Sequence, residues 1–375
     1  MAGYVFNLND YESLENCIAN GVYSTILSEP KKNLWGRAHE GTFADYMSMK
    51  DGDNVYFFLD RKIYGIGVLK TINLDCKYQN YPNSLLPQIP NFDEIKNKIL
   101  LGDTVFNINN RVICLFNPSP IFFKNGIDMD DVLSYKPNSF RMLRAFWKLS
   151  FVKIDDEENK ALKDIILKRN ENYLEDYTHQ YFFSDKKHRE IQKKINKTYI
   201  LSHKDLLKSS YKNYSIKHEM AIESSIVDII SSDLNSIFGK WDYISHQVIA
   251  SPFKPIEYMD KMDIFGYRYI SGFETISKYL LIEIKKDTAK IESIDQIMKY
   301  VDWINEEYSF GDYSMIEAFL VAYDFPEHII EYRNKICIRN FTRGRRPTTS
   351  KIWTNIKLVK YRYNQTDNSL SFEVI

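Results

Sequence analysis

The residues best suited to chemistry lie late in the chain, in the apolar run Leu280–Lys285. Glu283 and Lys285 interrupt this run and are separated by Ile284. Because residues two apart on a strand point to the same face, both charged side chains lie on one side and Ile284 faces the core. A charged pair in such a strand costs free energy unless it lines a site. The spacing therefore predicts a functional site on this strand.

A further carboxylate comes from an earlier strand-like segment, Met262–Gly266, which carries Asp263. Adjacent strands would bring Asp263, Glu283 and Lys285 to one edge of a sheet. Metal-dependent hydrolysis of a phosphodiester requires carboxylates that hold Mg²⁺ near the scissile phosphate and a cation that stabilises the developing charge. These three residues predict that chemistry.

Two predicted helices flank the three residues. Glu219 and Glu223 are one helical turn apart, so both can face the sheet. Gln296 and Tyr300 have the same spacing on a later helix, whose face would close over the metal. The sequence leaves open which glutamate belongs to the site and favours Glu223, because it continues into the apolar face of its helix.

The ordered set of helix glutamate, Asp263, Glu283–Lys285 and Gln296–Tyr300 resembles the PD-(D/E)XK nuclease superfamily, in particular the branch with Q-x-x-x-Y on its last helix. The resemblance covers residues 216–325 and lacks the proline before Asp263. Taken singly, each piece is also compatible with a surface ion pair, a turn cap or a plain helix face. The ordered set is far more specific.

The resemblance implies roles for these residues. Asp263 and Glu283, with the carbonyl of Ile284, would hold Mg²⁺, for which Mn²⁺ can substitute. Lys285 would orient or activate the attacking water, and the Q-x-x-x-Y residues would position the metal site and the DNA backbone. The implied catalytic set is Glu223, Asp263, Glu283, Lys285, Gln296 and Tyr300.

Charge must act locally in this chain, because 50 basic and 50 acidic residues give a formal net charge of zero. A nucleic-acid partner would therefore meet basic patches and not a field of the whole protein. One Lys-rich segment is Lys186–Lys212, and another, Arg333–Arg362, carries Arg343, Arg345 and Arg346. These three arginines are predicted to contact the DNA backbone. The alternative is that both segments are solvated surface.

The four cysteines, Cys17, Cys76, Cys114 and Cys337, are widely spaced and form no C-x-x-C pair. Neither a zinc site nor a disulfide framework is therefore expected, and a reducing cytoplasm fits best. No apolar run approaches the roughly eighteen residues of a membrane helix. We expect an intracellular protein with no membrane partner.

The first half of the chain shows short β runs separated by turns, flanked by helices that begin at Asn9 or Asp10 and at Asp155. This pattern predicts an α+β, barrel-like module. The predicted strands are Tyr4–Leu8, Asn54–Leu59, Lys62–Lys70, Val112–Phe116 and Leu149–Ile154, and the predicted helices are Asp10–Ala19 and Asp156–Lys168.

The second half has the predicted order α-β-β-β-α-β, after a polar, Lys-rich connector. Domain boundaries are predicted at 1–173, 174–210 for the connector and 211–375. The predicted elements are helix Ile216–Ser232, strands Trp241–Ile249, Lys261–Ile270 and Tyr279–Lys285, helix Ser293–Ile304 and strand Met315–Tyr323.

Seven segments of residues 3–173 form a recognisable set: Tyr4–Leu8, Ile18–Thr25, Lys31–Leu34, Asn54–Phe58, Gly65–Gly67, Trp147–Val152 and Arg169–Asn172. They resemble the YTH/EVE, PUA-like class, and the turn Met49–Asp53 is closer to its EVE group. The resemblance implies a PUA-like α+β barrel joined to an α/β restriction-endonuclease-like domain. It also implies that the first domain reads a base, typically N6-methyladenine in YTH members.

A base flipped from its strand gains stacking and apolar contact in a cage of aromatic rings. Tyr23 stands where the family usually has its first cage tryptophan, and Ser24 follows it. The alternative is that these aromatic residues pack in the core. The remaining candidates are Trp35, Phe122, Phe123 and Tyr135.

The sequence thus predicts a Mg²⁺-dependent, restriction-type endonuclease that cuts DNA, with defence against foreign, modified DNA as its role. Because a double-strand break needs two active sites, a homodimer is expected. Two alternatives stay open: a nuclease that binds or cuts RNA, and a non-catalytic nucleic-acid-binding protein.

Overall fold

The computed structural model describes residues 1–27, 29–102, 110–145, 150–232, 236–250 and 260–375. The chain folds into two compact units, Met1–His39 with Met49–Leu201, and Glu40–Ser48 with Ser202–Ile375. This division differs from the predicted boundaries. Residues 174–201 belong to the first unit and 202–210 to the second, so no separate connector remains, and residues 40–48 belong to the second unit.

The first unit contains a curled, half-barrel sheet with strand order β2-β6-β4-β3-β1-β8, with β5 paired to β6 and β7 to β4. β1 and β3 are parallel, and the other pairs are antiparallel. The elements are β1 (Gly3–Asn7), α1 (Tyr11–Asn20), β2 (Val22–Ile26), α2 (Arg37–Met47, whose residues from Glu40 belong to the second unit), β3 (Asn54–Leu59), β4 (Lys62–Leu69), β5 (Lys77–Gln79), α3 (Phe92–Ile95), β6 (Arg111–Pro118), β7 (Ile127–Asp128), α4 (Met129–Tyr135), β8 (Phe151–Ile154), α5 (Asp156–Arg169) and α6 (Lys186–Lys194).

Capping side chains define the helices of this unit where the sequence predicted them. The Asp10 carboxylate accepts the N–H of Ser13 at the start of α1, and Asp155 accepts the N–H of Glu158 at the start of α5. Each cap satisfies one of the free N–H groups of a first helical turn. The predicted caps Asp10 and Asp155 are therefore confirmed. Residues 146–149, part of the predicted strand Leu149–Ile154 and of one YTH-like segment, lie outside the described residues.

The second unit is built on a sheet of order β11-β12-β13-β14-β17-β18. β13, β14 and β17 are parallel, and the strands at both edges are antiparallel. The elements are α7 (His203–Ser210), β9 (Tyr211–Lys212), β10 (Ser215–Ile216), α8 (Glu219–Ser231), β11 (Tyr243–Ile249), β12 (Lys261–Tyr269), β13 (Ile276–Thr288), α9 (Ile291–Glu307), β14 (Ile316–Asp324), α10 (Glu327–Ile336), β15 (Arg339–Arg343), β16 (Thr349–Trp353), β17 (Ile356–Asn364) and β18 (Ser369–Val374).

The predicted order α-β-β-β-α-β is confirmed as α8-β11-β12-β13-α9-β14. The central strands are buried on both faces, as expected for parallel strands. Helix α9 connects β13 to the parallel strand β14, which is the crossover that a parallel pair needs. In the described part of the chain, no helix is long and apolar enough to cross a membrane.

Candidate active site

Asp263 and the segment Glu283–Lys285 meet where β12 and β13 stop pairing. The backbone ladder between these strands ends with Ile264 opposite Ile282. Beyond it, the N–H of Ile284 donates to Oδ2 of Asp263 at 2.8 Å. The Asp263 carboxylate thus takes the place of a backbone acceptor and is fixed against the neighbouring strand. The structure brings these predicted residues together.

Glu283 is completely buried on β13. Its Oε1 accepts a hydrogen bond from Nζ of Lys285 at 2.7 Å. Its Oε2 has no hydrogen-bond partner among the described residues. A buried carboxylate oxygen without a partner costs free energy, because it has lost its water and gained nothing in return. A bound cation would satisfy this atom.

Gln247 on β11 links the other two carboxylates. Its amide donates to Oδ1 of Asp263 at 3.2 Å and, more weakly, to both oxygens of Glu223 at 3.4 Å. Its backbone lies in the left-handed region, with φ at 52°. That conformation costs a non-glycine residue about 1 to 3 kcal/mol and is typical of functional sites.

His246, the residue before Gln247, lies between two carboxylates in the second unit. Its Nε2 is 2.8 Å from Oδ1 of Asp45 on α2, and its Nδ1 is 2.9 Å from Oε1 of Glu223 on α8. Burial lowers the pKa of His246, but Asp45 and Glu223 outweigh that effect and raise the pKa to about 10. The ring is therefore an imidazolium that holds Glu223 in place.

The buried carboxylates of the site disfavour one another's ionisation. Burial raises the pKa of Asp263 well above its usual range, and the charges of Glu283 and Glu223 add to that rise. Burial also raises the pKa of Glu283 to about 7, against the opposing effect of Lys285, and raises the pKa of Glu223. A divalent cation among these carboxylates would relieve their repulsion.

Lys285 supplies a positive charge beside the carboxylates. Burial alone would lower the pKa of Lys285, but the charges of Glu283 and Asp263 raise it above its usual value. The side chain is therefore an ammonium group at neutral pH. In this state it can orient water or stabilise negative charge on a phosphate, and it cannot accept a proton.

The flanking helices place the other predicted residues around these groups. Glu219 is exposed, and its Oε1 accepts the N–H of Lys286 at 3.1 Å, whereas Glu223 is buried. On α9, the Gln296 amide donates to the Tyr300 hydroxyl at 3.0 Å. Burial, together with the Glu283 and Asp263 charges, raises the pKa of Tyr300 to about 12. Of the two helix glutamates, Glu219 thus lies at the rim of the site and Glu223 lies inside it.

The donor set fits a hard divalent cation. Within the described ranges, no three His, Cys, Asp or Glu side chains already surround one point as a formed metal site. The carboxylates of Asp263 and Glu283 nevertheless supply the oxygen ligands that Mg²⁺ prefers, and Oε2 of Glu283 lacks a partner there. The predicted role of the Ile284 carbonyl stays a prediction.

The aromatic residues predicted to form a base cage are packed inside the first unit. The Tyr23 ring is buried and stacks on Phe6 with centroids 3.9 Å apart, and Trp35 is buried and donates to the Leu85 carbonyl. Phe122 and Phe123 are buried as well. A base cannot stack on these rings unless the core opens.

The two other candidates, Tyr135 and Ser24, make separate contacts within the first unit. Tyr135 packs partly buried against a hydrophobic cluster, with Nζ of Lys168 5.3 Å from its ring centroid. Ser24 accepts a hydrogen bond from Arg111 at 3.2 Å. A different cavity of about 400 Å³ in this unit is lined by Asn16, Cys17, Asn20, Val22, Leu101, Lys186, Lys187 and Glu190.

The predicted DNA-contacting arginines lie at the end of the β15–β16 hairpin. Arg343 is the last residue of β15, and its side chain is 3.5 Å from Oδ2 of Asp312. Arg345 and Arg346 lie in the connecting loop and are exposed. The structure thus groups the three arginines at one exposed end of a hairpin.

Three residues of the site were absent from the sequence-based set: Asp45, His246 and Gln247. His246 and Gln247 stand together on a predicted strand, and their polar character next to Val248 was an available signal. Asp45 gave no such signal, because it lies far from the other site residues in sequence and joins them only through α2. The backbone conformation of Gln247 is not encoded by any residue pattern.

No family model matches the chain, and no curated protein matches it. A crystal structure of a repair endonuclease from Pyrococcus abyssi aligns with it at 22% identity and a TM-score of 0.22. The alignment covers 30% of this chain and 43% of that chain, less than half of the endonuclease. The functional proposal therefore rests on the geometry of the site.

Proposed function

We propose that the second unit is a metal-dependent nuclease that hydrolyses DNA phosphodiesters at a restriction-endonuclease-like active site. One observation carries the proposal. The buried carboxylates of Asp263, Glu283 and Glu223 lie together beside the Lys285 ammonium, and Oε2 of Glu283 has no partner among the described residues. Such an arrangement destabilises the metal-free fold and suits a cation-binding site.

Asp263 and Glu283 would hold Mg²⁺, or Mn²⁺ in its place, with the Ile284 carbonyl as a further ligand. The ion would act as a Lewis acid on a phosphate oxygen and would lower the pKa of a bound water. The protein fixes these ligands beforehand. The Ile284 N–H and the Gln247 amide each hold one oxygen of Asp263.

The remaining residues position the substrate and stabilise charge. The Lys285 ammonium would orient the attacking water and stabilise the negative charge that develops on the phosphate. The Tyr300 hydroxyl, which is held by Gln296, would donate to the DNA backbone. Glu223, held by His246, would position the metal site from its buried side.

The first unit supplies the proposed selectivity. Its sequence resemblance to YTH/EVE domains supports base reading, including reading of methylated bases, and a role in defence against modified DNA. Because Tyr23, Trp35, Phe122 and Phe123 are buried in this structure, base reading requires either opening of that core or another surface of the unit. We further propose a homodimer, since a double-strand break needs two active sites.

A plasmid digestion tests the proposal. Unmethylated, adenine-methylated and cytosine-methylated forms of one plasmid are incubated with protein and Mg²⁺ or EDTA, beside a single-stranded RNA. We expect Mg²⁺-dependent DNA cleavage that differs among the three forms. Equal cleavage of all three plasmid forms would contradict the proposal that the first unit reads base modification. Cleavage of RNA alone would show that the substrate is RNA and not DNA. No cleavage of any substrate would overturn the proposal that the protein is a nuclease.

A further inference from the structure

The antiparallel hairpin formed by β15 and β16, here called the ribbon, is a separate two-stranded sheet. One end is anchored to the body of the second unit. The buried Trp353 indole donates to the Ile316 carbonyl at 3.1 Å. Arg339 forms two hydrogen bonds with Asp302, at 2.7 and 2.8 Å. The ribbon therefore has a fixed base.

The other end of the ribbon is exposed, although the Arg343 side chain there lies 3.5 Å from Asp312. Every residue from Thr342 to Ile352 is exposed, and Ile352 is 68% exposed. A two-stranded hairpin without a covered face is at best marginally stable alone. Contacts with the other described residues therefore do not explain why the exposed part of the ribbon is held as a hairpin. We take this as an indication that its exposed surface binds a partner.

Charge identifies the class of that partner. No acidic residue occurs between Tyr332 and Thr366. Arg339 pairs with Asp302 at the base of the ribbon, and Arg343, at the far end of β15, pairs with Asp312. Arg345, Arg346 and Lys351 form no ion pair with any described residue. The basic residues of this stretch are Arg333, Lys335, Arg339, Arg343, Arg345, Arg346, Lys351, Lys357, Lys360 and Arg362.

We propose that the ribbon enters the major groove of B-form duplex DNA, with Arg345 and Arg346 at its leading end. This inference rests on the proposed function, because it names the form of DNA that the nuclease takes. A two-stranded antiparallel ribbon fits the B-form major groove, about 12 Å wide and 8.5 Å deep. Each strand of five residues spans about 17 Å, which is enough to reach the groove floor.

The composition of the ribbon disfavours other nucleic acids. Single strands are held by aromatic rings that stack on bases, but the two aromatic residues of the ribbon are the partly buried Phe341, near Tyr313, and the buried Trp353, and its exposed residues 342–352 include none. The major groove of A-form RNA is too narrow and deep for side chains to read. Duplex DNA is therefore the partner that fits both shape and charge.

Binding without cleavage tests the ribbon separately from the nuclease. The E283Q protein is titrated in EDTA with a labelled DNA duplex, its single strand and a duplex RNA of the same sequence. The double variant Arg345→Gln/Arg346→Gln is compared with Lys96→Gln/Lys98→Gln, which removes the same charge from exposed positions of the first unit. Thermal unfolding checks that both variants fold, since all four side chains are exposed.

We expect the ribbon variant to bind duplex DNA at least about tenfold more weakly and to lose about 2 from the slope of log affinity against log salt. Each arginine charge brought into the groove neutralises about one phosphate and releases its counterion, which contributes about 0.9 to the slope. The control variant should change neither. Unchanged affinity and slope, or equal weakening on all three nucleic acids, would overturn the proposal. If the wild-type protein binds duplex DNA specifically but does not cleave it, the proposed nuclease function is contradicted, whereas the proposal for the ribbon is supported.

Methylation interference identifies the groove. Guanine methylated at N7 carries its added methyl group in the major groove, and adenine methylated at N3 carries it in the minor groove. We expect N7 methylation at several positions to block binding of the wild-type ribbon but to have less effect on the ribbon variant. Interference from N3 methylation alone would place the ribbon in the minor groove and overturn the assignment.

Discussion

Glu158 of the first unit and Glu283 of the second unit are both completely buried, and the two side chains differ in what surrounds them. In the first unit, Oε1 of Glu158 accepts the backbone N–H groups of Arg141 at 2.6 Å and Leu143 at 3.1 Å. In the second unit, Glu283 shares its surroundings with Asp263 and Lys285. One glutamate ties down a loop, and the other belongs to a cluster of charges.

The comparison shows that burial alone does not identify a functional carboxylate. Burial is the largest cause that raises the pKa of Glu158 to about 8 and that of Glu283 to about 7. Each also has one carboxylate oxygen without a hydrogen-bond partner among the described residues. They differ in that Glu158 accepts two backbone N–H groups, whereas Glu283 lies beside Lys285 and the buried Asp263 carboxylate. Backbone donors that hold a loop indicate structure, whereas converging carboxylates beside a lysine indicate chemistry. Matched substitutions at the two positions test this distinction.

The largest expected effect is on cleavage. Glu283→Gln keeps the acceptor for Lys285 but removes the negative charge that would hold a metal. Because a bound metal contributes several kcal/mol to transition-state stabilisation, we expect cleavage to fall at least about 10³-fold. Plasmid-nicking rates measure this, with Glu158→Gln as the matched control. Comparable losses in both variants would remove the distinction between the two glutamates.

The next largest effect concerns the free energy of unfolding. Here we expect substitution of Glu158 to cost more than substitution of Glu283. Glu158→Ala leaves the N–H groups of Arg141 and Leu143 without their acceptor and opens a cavity, which should lower the free energy of unfolding by about 2 to 4 kcal/mol. Glu283→Ala should cost less in metal-free protein, because it also removes carboxylate repulsion. Urea unfolding in EDTA compares the two. A larger loss at Glu283 would assign that residue a structural role.

A smaller effect is expected at Asp45, which is 2.8 Å from His246 but does not itself belong to the acid cluster. Asp45→Asn removes the charge that holds the imidazolium and loosens Glu223. Residues that orient metal ligands typically change activity about 10- to 100-fold, and we expect a loss in that range, with folding retained. Loss of folding without any specific loss of cleavage in the folded fraction would show that Asp45 only supports packing.

The smallest effect is a pH dependence of stability in the first unit. The pKa of Glu158 rises from 4.5 to about 8 on folding, so its stabilising contribution is complete below pH 4.5 and is lost as pH rises through 8. Gln at this position stays neutral. Between pH 5 and 9, wild type should therefore lose at least about 1 kcal/mol of stability relative to Glu158→Gln. Parallel pH profiles of unfolding free energy would contradict the assigned pKa shift.

The sequence alone predicts those charged site residues that interrupt apolar segments. Asp263, Glu283 and Lys285 are polar residues in apolar strands, and Glu223 follows from helical spacing, so local patterns were sufficient. Asp45 was inaccessible because only the tertiary fold brings α2 to β11. The direction in which an aromatic residue points was equally inaccessible, since Tyr23 has the same local sequence whether it stacks on a base or on Phe6.

The fold likewise has features that could be predicted from local sequence and features that could not. Strand and helix periodicity gave the order α8-β11-β12-β13-α9-β14, which the structure confirms. The sequence predicted the division into two units only approximately. Residues 40–48 belong to the second unit through contacts that are distant in sequence, and no change in composition marks this segment. The ribbon was recognised by its arginines but not as a hairpin, since its exposed strands show no apolar alternation.

Metal binding at the acid cluster is the most direct test of the central claim that Asp263 and Glu283 hold a divalent cation. Mn²⁺ binding can be measured by electron paramagnetic resonance on wild type, Glu283→Gln and Glu158→Gln. We expect wild type and Glu158→Gln to bind Mn²⁺ with equal affinity, with Mg²⁺ as competitor, and Glu283→Gln to lose that binding. Equal Mn²⁺ binding by all three proteins, or no binding by wild type, would contradict the claim.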